Sequence, residues 1–269
     1  MENQNDLTEN VKKKQMLRTY NINTPQYYFY KEMHKNQSID YVKEKQKQYS
    51  ILNNRKMDIH KALSLLDEYI DPSDPDVDEE NSIHAYQTAE RIRKKYPENK
   101  QLQITGLIHD LGKVLFSLGE PSWCVVGDTY VLGCEFPECI VYYDTLKENP
   151  DFKKYDKNGI YKEGCGLDTL YISFGHDEYL YKVLQHNSGK HKLETKFLDI
   201  IRYHSLYPWH TGGEYRQFMN EKDEETLKNV NMFNEFDLYS KEDDTDIDES
   251  VKQYYKSLLD EYFLDELEW

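Results

Sequence analysis

The chain has 269 residues, with 34 Lys and Arg against 50 Asp and Glu, a formal net charge of −16, 38% hydrophobic residues and 24 Tyr. That acidity argues against nucleic acid and against anionic membranes, both of which draw on clustered Lys and Arg. The length fits one large domain, in which about 75% of the unfolded surface is buried and a polar site can be enclosed.

Residues 1–15 are polar and mixed in charge, a frayed tail ahead of a single domain over 16–269. No apolar run follows Met1, and Cys124, Cys134, Cys139 and Cys165 form no CxxC pair. The expectation is a reduced, cytoplasmic chain whose thiols are small core residues. Helical spacing first appears over 39–49, then over 57–69, where Ala62, Leu63, Leu65 and Leu66 fall on or beside one face. Two prolines and four aspartates over 71–78 make a rigid acidic loop. Asn81 or Ser82 is the predicted N-cap of a helix reaching about Tyr96 and stopped by Pro97. Ile104, Leu107, Ile108, Leu111, Val114, Leu115 and Leu118 predict one unbroken helix. From Trp123 to Asp168 glycines and prolines punctuate a long stretch, read as a lid or binding segment with a short strand pair. Helices are predicted again over 167–171, 177–185, 194–204, 224–239 and 250–267, with a second acidic loop at 242–248. The fold class is all-α with few strands.

The chemistry starts at His109-Asp110-Leu111-Gly112-Lys113. On one continuous helix His109 and Lys113 share a face, with Asp110 the next position round, and the ordinary reading is a solvated polar face. His204 follows Phe197 by seven and Ile200 by four, so it belongs to an apolar face, where a hydrogen-bonded core histidine is the ordinary reading. Asp237 follows Phe233 by four, and a carboxylate on an apolar stripe needs a cation or several donors. His84 and His176 fall at helix starts, where surface histidines are common. Together these are four His and two Asp on five helical segments. Mixed imidazole and carboxylate donors suit iron, manganese or zinc and not calcium. Six ligands exceed the needs of one catalytic ion, and with a bridging carboxylate they fit two. Spacing leaves the metal and the reaction open.

The order His84, His109-Asp110, Asp237 resembles the HD-domain superfamily of helical metal-dependent proteins, and His176 and His204 resemble its dinuclear members. More specifically, the chain resembles the myo-inositol oxygenase family from about Arg18 onward. The segments that carry the likeness are 66–78 (LDEYIDPSDPDVD), 81–90 (NSIHAYQTAE), 106–115 (GLIHDLGKVL), 119–129 (GEPSWCVVGDT), 173–179 (SFGHDEY) and 201–212 (IRYHSLYPWHTG). The resemblance implies an HD-like helical bundle holding two irons, Fe(II)/Fe(III). It implies His84, His109, Asp110 and Asp237 around the first iron and Asp110, His176 and His204 around the second. It implies substrate contacts at Arg18, Asp71, Pro72, Ser73, Lys113, Gly127, Asp128, His204 and Ser205, with Lys113 catalytic. Pro72 departs from the acidic residue of the family pattern. The implied reaction is the four-electron oxidation of myo-inositol by O2 to D-glucuronate, in a monomeric enzyme.

Two other readings compete. An HD-domain phosphohydrolase shares most of the ligands but gathers Arg and Lys around phosphate, for which Lys113, Arg18 and Arg202 are the candidates. A helical interaction domain needs none of these residues to meet.

Overall fold

The computed structural model describes residues 22–53, 55–73, 80–238 and 246–269. Over these residues it is mostly helical, with four two-residue strands. The chain begins with α1 (Pro25–Asn36) and α2 (Ile39–Gln48), then the two-residue strand β1 (Lys56–Met57) and α3 (Ile59–Leu65), which tightens into a 3-10 turn over Leu66–Glu68. The pair α4 (Asn81–Lys95) and α5 (Lys100–Ile108) is followed by a 3-10 segment (Leu111–Leu118), the short α6 (Ser122–Val125), β2 (Val131–Leu132) and β3 (Tyr171–Ile172). Next come α7 (His176–His186), α8 (Thr195–Tyr203), α9 (Tyr207–His210), α10 (Glu221–Asp237), α11 (Glu249–Tyr262) and β4 (Leu267–Glu268).

Local chemistry sets most helix starts. The side chains of Thr24, Ser38, Asp58, Asn99 and Asp248 each accept the N–H three residues on. A capping box between Asn220 and Asp223 opens α10. The helix α1 lay outside the expected elements, although Thr24 with Pro25 in the first turn is a helix-start signature. Asn81 does not cap α4. Glu80 holds the cap position without a side-chain bond, and Asn81 donates to the Leu66 and Tyr69 carbonyls.

Three expected helices are corrected. The stripe over 104–118 is two elements: α5 ends at Ile108, Asp110 takes φ −92 and ψ 0, and the chain continues as 3-10. Residues 167–171 form a 3-10 turn after Gly166 (φ +87) and then β3, because Tyr171 and Ile172 pair antiparallel with Leu132 and Val131. The last helix stops at Tyr262, and Leu267 and Glu268 pair with Met57 and Lys56. In each case a partner distant in sequence outweighs local propensity.

The helices α4 and α5 pack on each other, α7 packs on α8, and α10 lies against α4, α5 and α8. No helix among the described residues is long and apolar enough to cross a membrane. The four cysteines are free, with Cys124 and Cys134 buried. The C-terminal Trp269 is fully buried, its indole N–H donating to the Met57 carbonyl at 3.0 Å. Trp269→Ala is expected to destabilise the fold by about 3–5 kcal/mol, read as a lowered midpoint in denaturant unfolding.

Candidate metal centre

Four regions meet behind the first turn of α4: that turn, the α5-to-3-10 junction, the facing ends of α7 and α8, and the end of α10. His84 Nε2 lies 3.0 Å from Asp237 Oδ1, and His109 Nε2 lies 3.3 Å from the same oxygen. Asp110 reaches both ways. Its Oδ2 is 3.6 Å from His109 Nε2, and its Oδ1 is 3.2 Å from His176 Nε2 and 3.7 Å from His204 Nε2. The donor atoms of His84, His109 and Asp110 lie within 4.8 Å of one another, as do those of Asp110, His176 and His204. All six residues singled out in the sequence therefore converge, with Asp110 common to both groups.

The imidazoles are held in one sense. The Nδ1 atoms of His109, His176 and His204 face the carbonyls of Gly106 (2.8 Å), Val125 (2.9 Å) and Ile201 (2.7 Å). A carbonyl only accepts, so each Nδ1 carries the proton and each Nε2 presents a lone pair inward. His176 Nε2 and His204 Nε2 then oppose each other at 3.3 Å beside an Asp110 oxygen. Two lone pairs and an anion so placed form a donor set for a cation. Burial favours the neutral form of His109 and His204, yet Asp110 and Asp237 raise the pKa of His109, and Asp110 and Asp177 raise that of His204. The field that attracts a proton to Nε2 attracts a metal ion equally. The Asp110 carboxyl is opposed by burial but held well below its ordinary range by Lys113 and His109. His109 and likewise His84 hold down that of Asp237, again against burial. The donor set fits a pair of first-row transition-metal ions.

The expected solvated face of His109 and Lys113 is instead buried. The winding also changes from α to 3-10, and at three residues per turn Lys113 aligns with Asp110, not with His109. Lys113 Nζ contacts Asp110 Oδ2 at 3.0 Å, Asp71 Oδ2 at 2.9 Å and Asn81 Oδ1 at 3.1 Å. Burial disfavours its charge, but the two carboxylates raise its pKa. Asp71 Oδ1 accepts from the Ser73 N–H and hydroxyl, closing a turn through Pro72.

On the other side, the Val125 carbonyl receives His176, and the Thr129 N–H donates to the Ser205 carbonyl at 2.9 Å. Gly127 lies between them at φ +104, where a Cβ would stand 2.7 Å from Met33 Sδ of α1. The Tyr30 hydroxyl lies 3.1 Å from both the Asp128 carboxylate and the Asp128 N–H. Val125, Val126 and Thr129 through Cys134, part of the expected lid or binding segment, are buried. Arg18 and residues 74–79 lie outside the described residues.

Several contributors escaped the sequence reading. Asn81 signalled only a helix start. Asp177 puts Oδ1 3.0 Å from His176 Nδ1, and His210 Nε2 faces the His204 carbonyl at 2.9 Å. Neither has a distinguishing spacing. Gly112 packs so closely on the start of α7 that a Cβ would overlap the His176 carbonyl oxygen. Gly112→Ala is expected to separate Asp110 from His176, costing about 1–3 kcal/mol and lowering the capacity to bind transition metal, checked by denaturant unfolding and elemental analysis after metal loading.

A family profile described as Myo-inositol oxygenase matches residues 25–269. The chain belongs to the myo-inositol oxygenase family. A "Probable inositol oxygenase" of Oryza sativa subsp. japonica is 48% identical over 90% of this chain and 80% of that protein. The "Inositol oxygenase" of Mus musculus is 45% identical over 89% and 85%, and that of Danio rerio 46% over 89% and 87%. Family membership sets aside the interaction-domain reading. It also bears on the phosphohydrolase, for which Arg202 was a candidate: that guanidinium is engaged by Glu178 and Asp168.

Proposed function

We propose that this chain is an inositol oxygenase that cleaves the ring of myo-inositol with O2 to give D-glucuronate. One oxygen atom enters the new carboxylate and the other leaves as water, a four-electron oxidation without added reductant. The observation that carries the reading is the sharing of Asp110 between two groups of inward-facing imidazole nitrogens. His84, His109, Asp110 and Asp237 would hold one iron, and Asp110, His176 and His204 the other, as an Fe(II)/Fe(III) pair. When bound, the pair supplies Lewis acidity and one-electron chemistry toward O2.

The chain's own residues do the rest. Inositol is an uncharged ring of hydroxyls, so it is fixed by hydrogen bonds rather than by a phosphate clamp. Asp71, Ser73, Asp128 and Ser205 provide these from the two sides of the centre, with Arg18 and the backbone at Gly127 as further contacts. Pro72 has neither an N–H nor a polar side chain, so only its carbonyl can contribute. Asp110, His176 and His204 would supply the second ion with only three protein ligands, which would leave room for substrate oxygens beside His204. The Lys113 ammonium, held between Asp71 and Asp110, stabilises negative charge as a substrate hydroxyl loses its proton. The buried residues of the 124–134 segment keep bulk water from the reacting carbon. The same reading makes residues 16–269 one catalytic unit in a cytoplasmic monomer.

The test is anaerobic loading with Fe(II), followed by myo-inositol and O2. Oxygen uptake matched by glucuronate, with two inequivalent irons in the Mössbauer spectrum, is the expected result. No uptake, alongside phosphate release from nucleotides, would transfer the assignment to the phosphohydrolase.

A further inference from the structure

We infer that the buried ion pair Glu178–Arg202 is a positioning device that sets the separation of His176 and His204. Its role is to make the second metal group competent, an inference that rests on the metal-ligand reading above. Glu178 lies two residues after His176, in the first turn of α7. Arg202 lies two residues before His204, in the last turn of α8. Arg202 Nε donates to Glu178 Oε2 at 2.7 Å, so the pair ties the two helix ends that carry the two imidazoles. The guanidinium is held on its other sides as well. It donates to Asp168 Oδ1 at 3.0 Å and stacks over the Tyr181 ring at 4.5 Å, and Tyr203 binds the same Asp168 oxygen.

Stability alone is a poor explanation for this arrangement. Glu178 and Arg202 are both 7% exposed, and a buried ion pair recovers little more than its desolvation cost. What a bidentate guanidinium does supply is geometry, because its planar fork fixes distance and orientation together. The second group depends on that geometry more than the first. It has three protein ligands, two of which hang from the helix ends that the pair joins. Three of the four residues in the first group, His84, His109 and Asp237, come from elements other than the two helices the pair joins.

The test uses the full chain titrated anaerobically with Fe(II) alone, with iron per chain read by elemental analysis. The proteins are wild type, Arg202→Lys, Glu178→Gln and the double variant E178M/R202M. Wild type is expected to take two irons. Each variant is expected to keep the first and to bind the second about 10–100-fold more weakly, as when an outer partner of a ligand is lost, with its circular dichroism spectrum unchanged. The double variant leaves no unpaired buried charge, so it carries the test if a single variant folds poorly. Variants that bind both irons as wild type does, or that lose both together, would overturn the inference while leaving the metal centre intact. Wild type that takes up no iron would overturn the metal-centre reading itself.

Discussion

Asp110→Ala is expected to remove both irons and all measurable glucuronate formation, an effect no other single ligand should match. Among the described residues Asp110 is the side chain with an oxygen toward each group: Oδ2 toward His109 and Oδ1 toward His176 and His204. His84→Ala, by contrast, leaves His109, Asp110 and Asp237 to hold the first ion weakly and does not touch the second group. The loss also has a stability component. Lys113 keeps Asp71 at 2.9 Å but loses Asp110, and breaking a buried pair costs about 3–5 kcal/mol, with the remaining partner favouring the lower end. Iron content and turnover decide the matter. An Asp110→Ala protein that still holds two irons would show that the groups are not joined through this residue.

Lys113→Met is expected to separate substrate chemistry from metal binding. The ammonium touches Asp71, Asp110 and Asn81, and none of these contacts makes it a ligand. Iron content should therefore stay at the wild-type level while kcat/KM falls by about 10²–10³, the effect of removing one donor aimed at developing negative charge. The iron-free variant should lose about 3 kcal/mol of stability, because the buried Asp110 and the half-buried Asp71 lose their shared cation. Iron should restore much of that loss, since a bound ion stabilises the folded state and supplies the missing positive charge. Loss of iron in step with turnover would place Lys113 in the metal site, and unchanged turnover would remove it from the mechanism.

Much of the candidate site was legible because its residues break local patterns. His204 and Asp237 interrupt apolar stripes, and His109 with Asp110 stands beside one. What was misread followed from assuming one winding across 104–118. Apolar residues recur at similar intervals in α and 3-10 segments, so the sequence shows the stripe and not the change of pitch. Within the 3-10 segment Gly112 meets the backbone of His176, in an element more than 60 residues away. The change of pitch moves Lys113 from His109 to Asp110 and so makes the cation part of the centre.

The amino-acid order by itself determined the helical character and most helix starts, and it marked six polar residues that gain meaning as a set although each alone has an ordinary reading. Periodicity and capping are local, reaching three or four residues, and the chain displays them directly. Only the tertiary structure decided that these six meet, that Asp110 faces both ways and that each Nε2 points inward. Those facts depend on contacts such as His84 with Asp237, 153 residues apart. Such pairs are chosen by which apolar faces bury one another, and a single helix face does not name its partner.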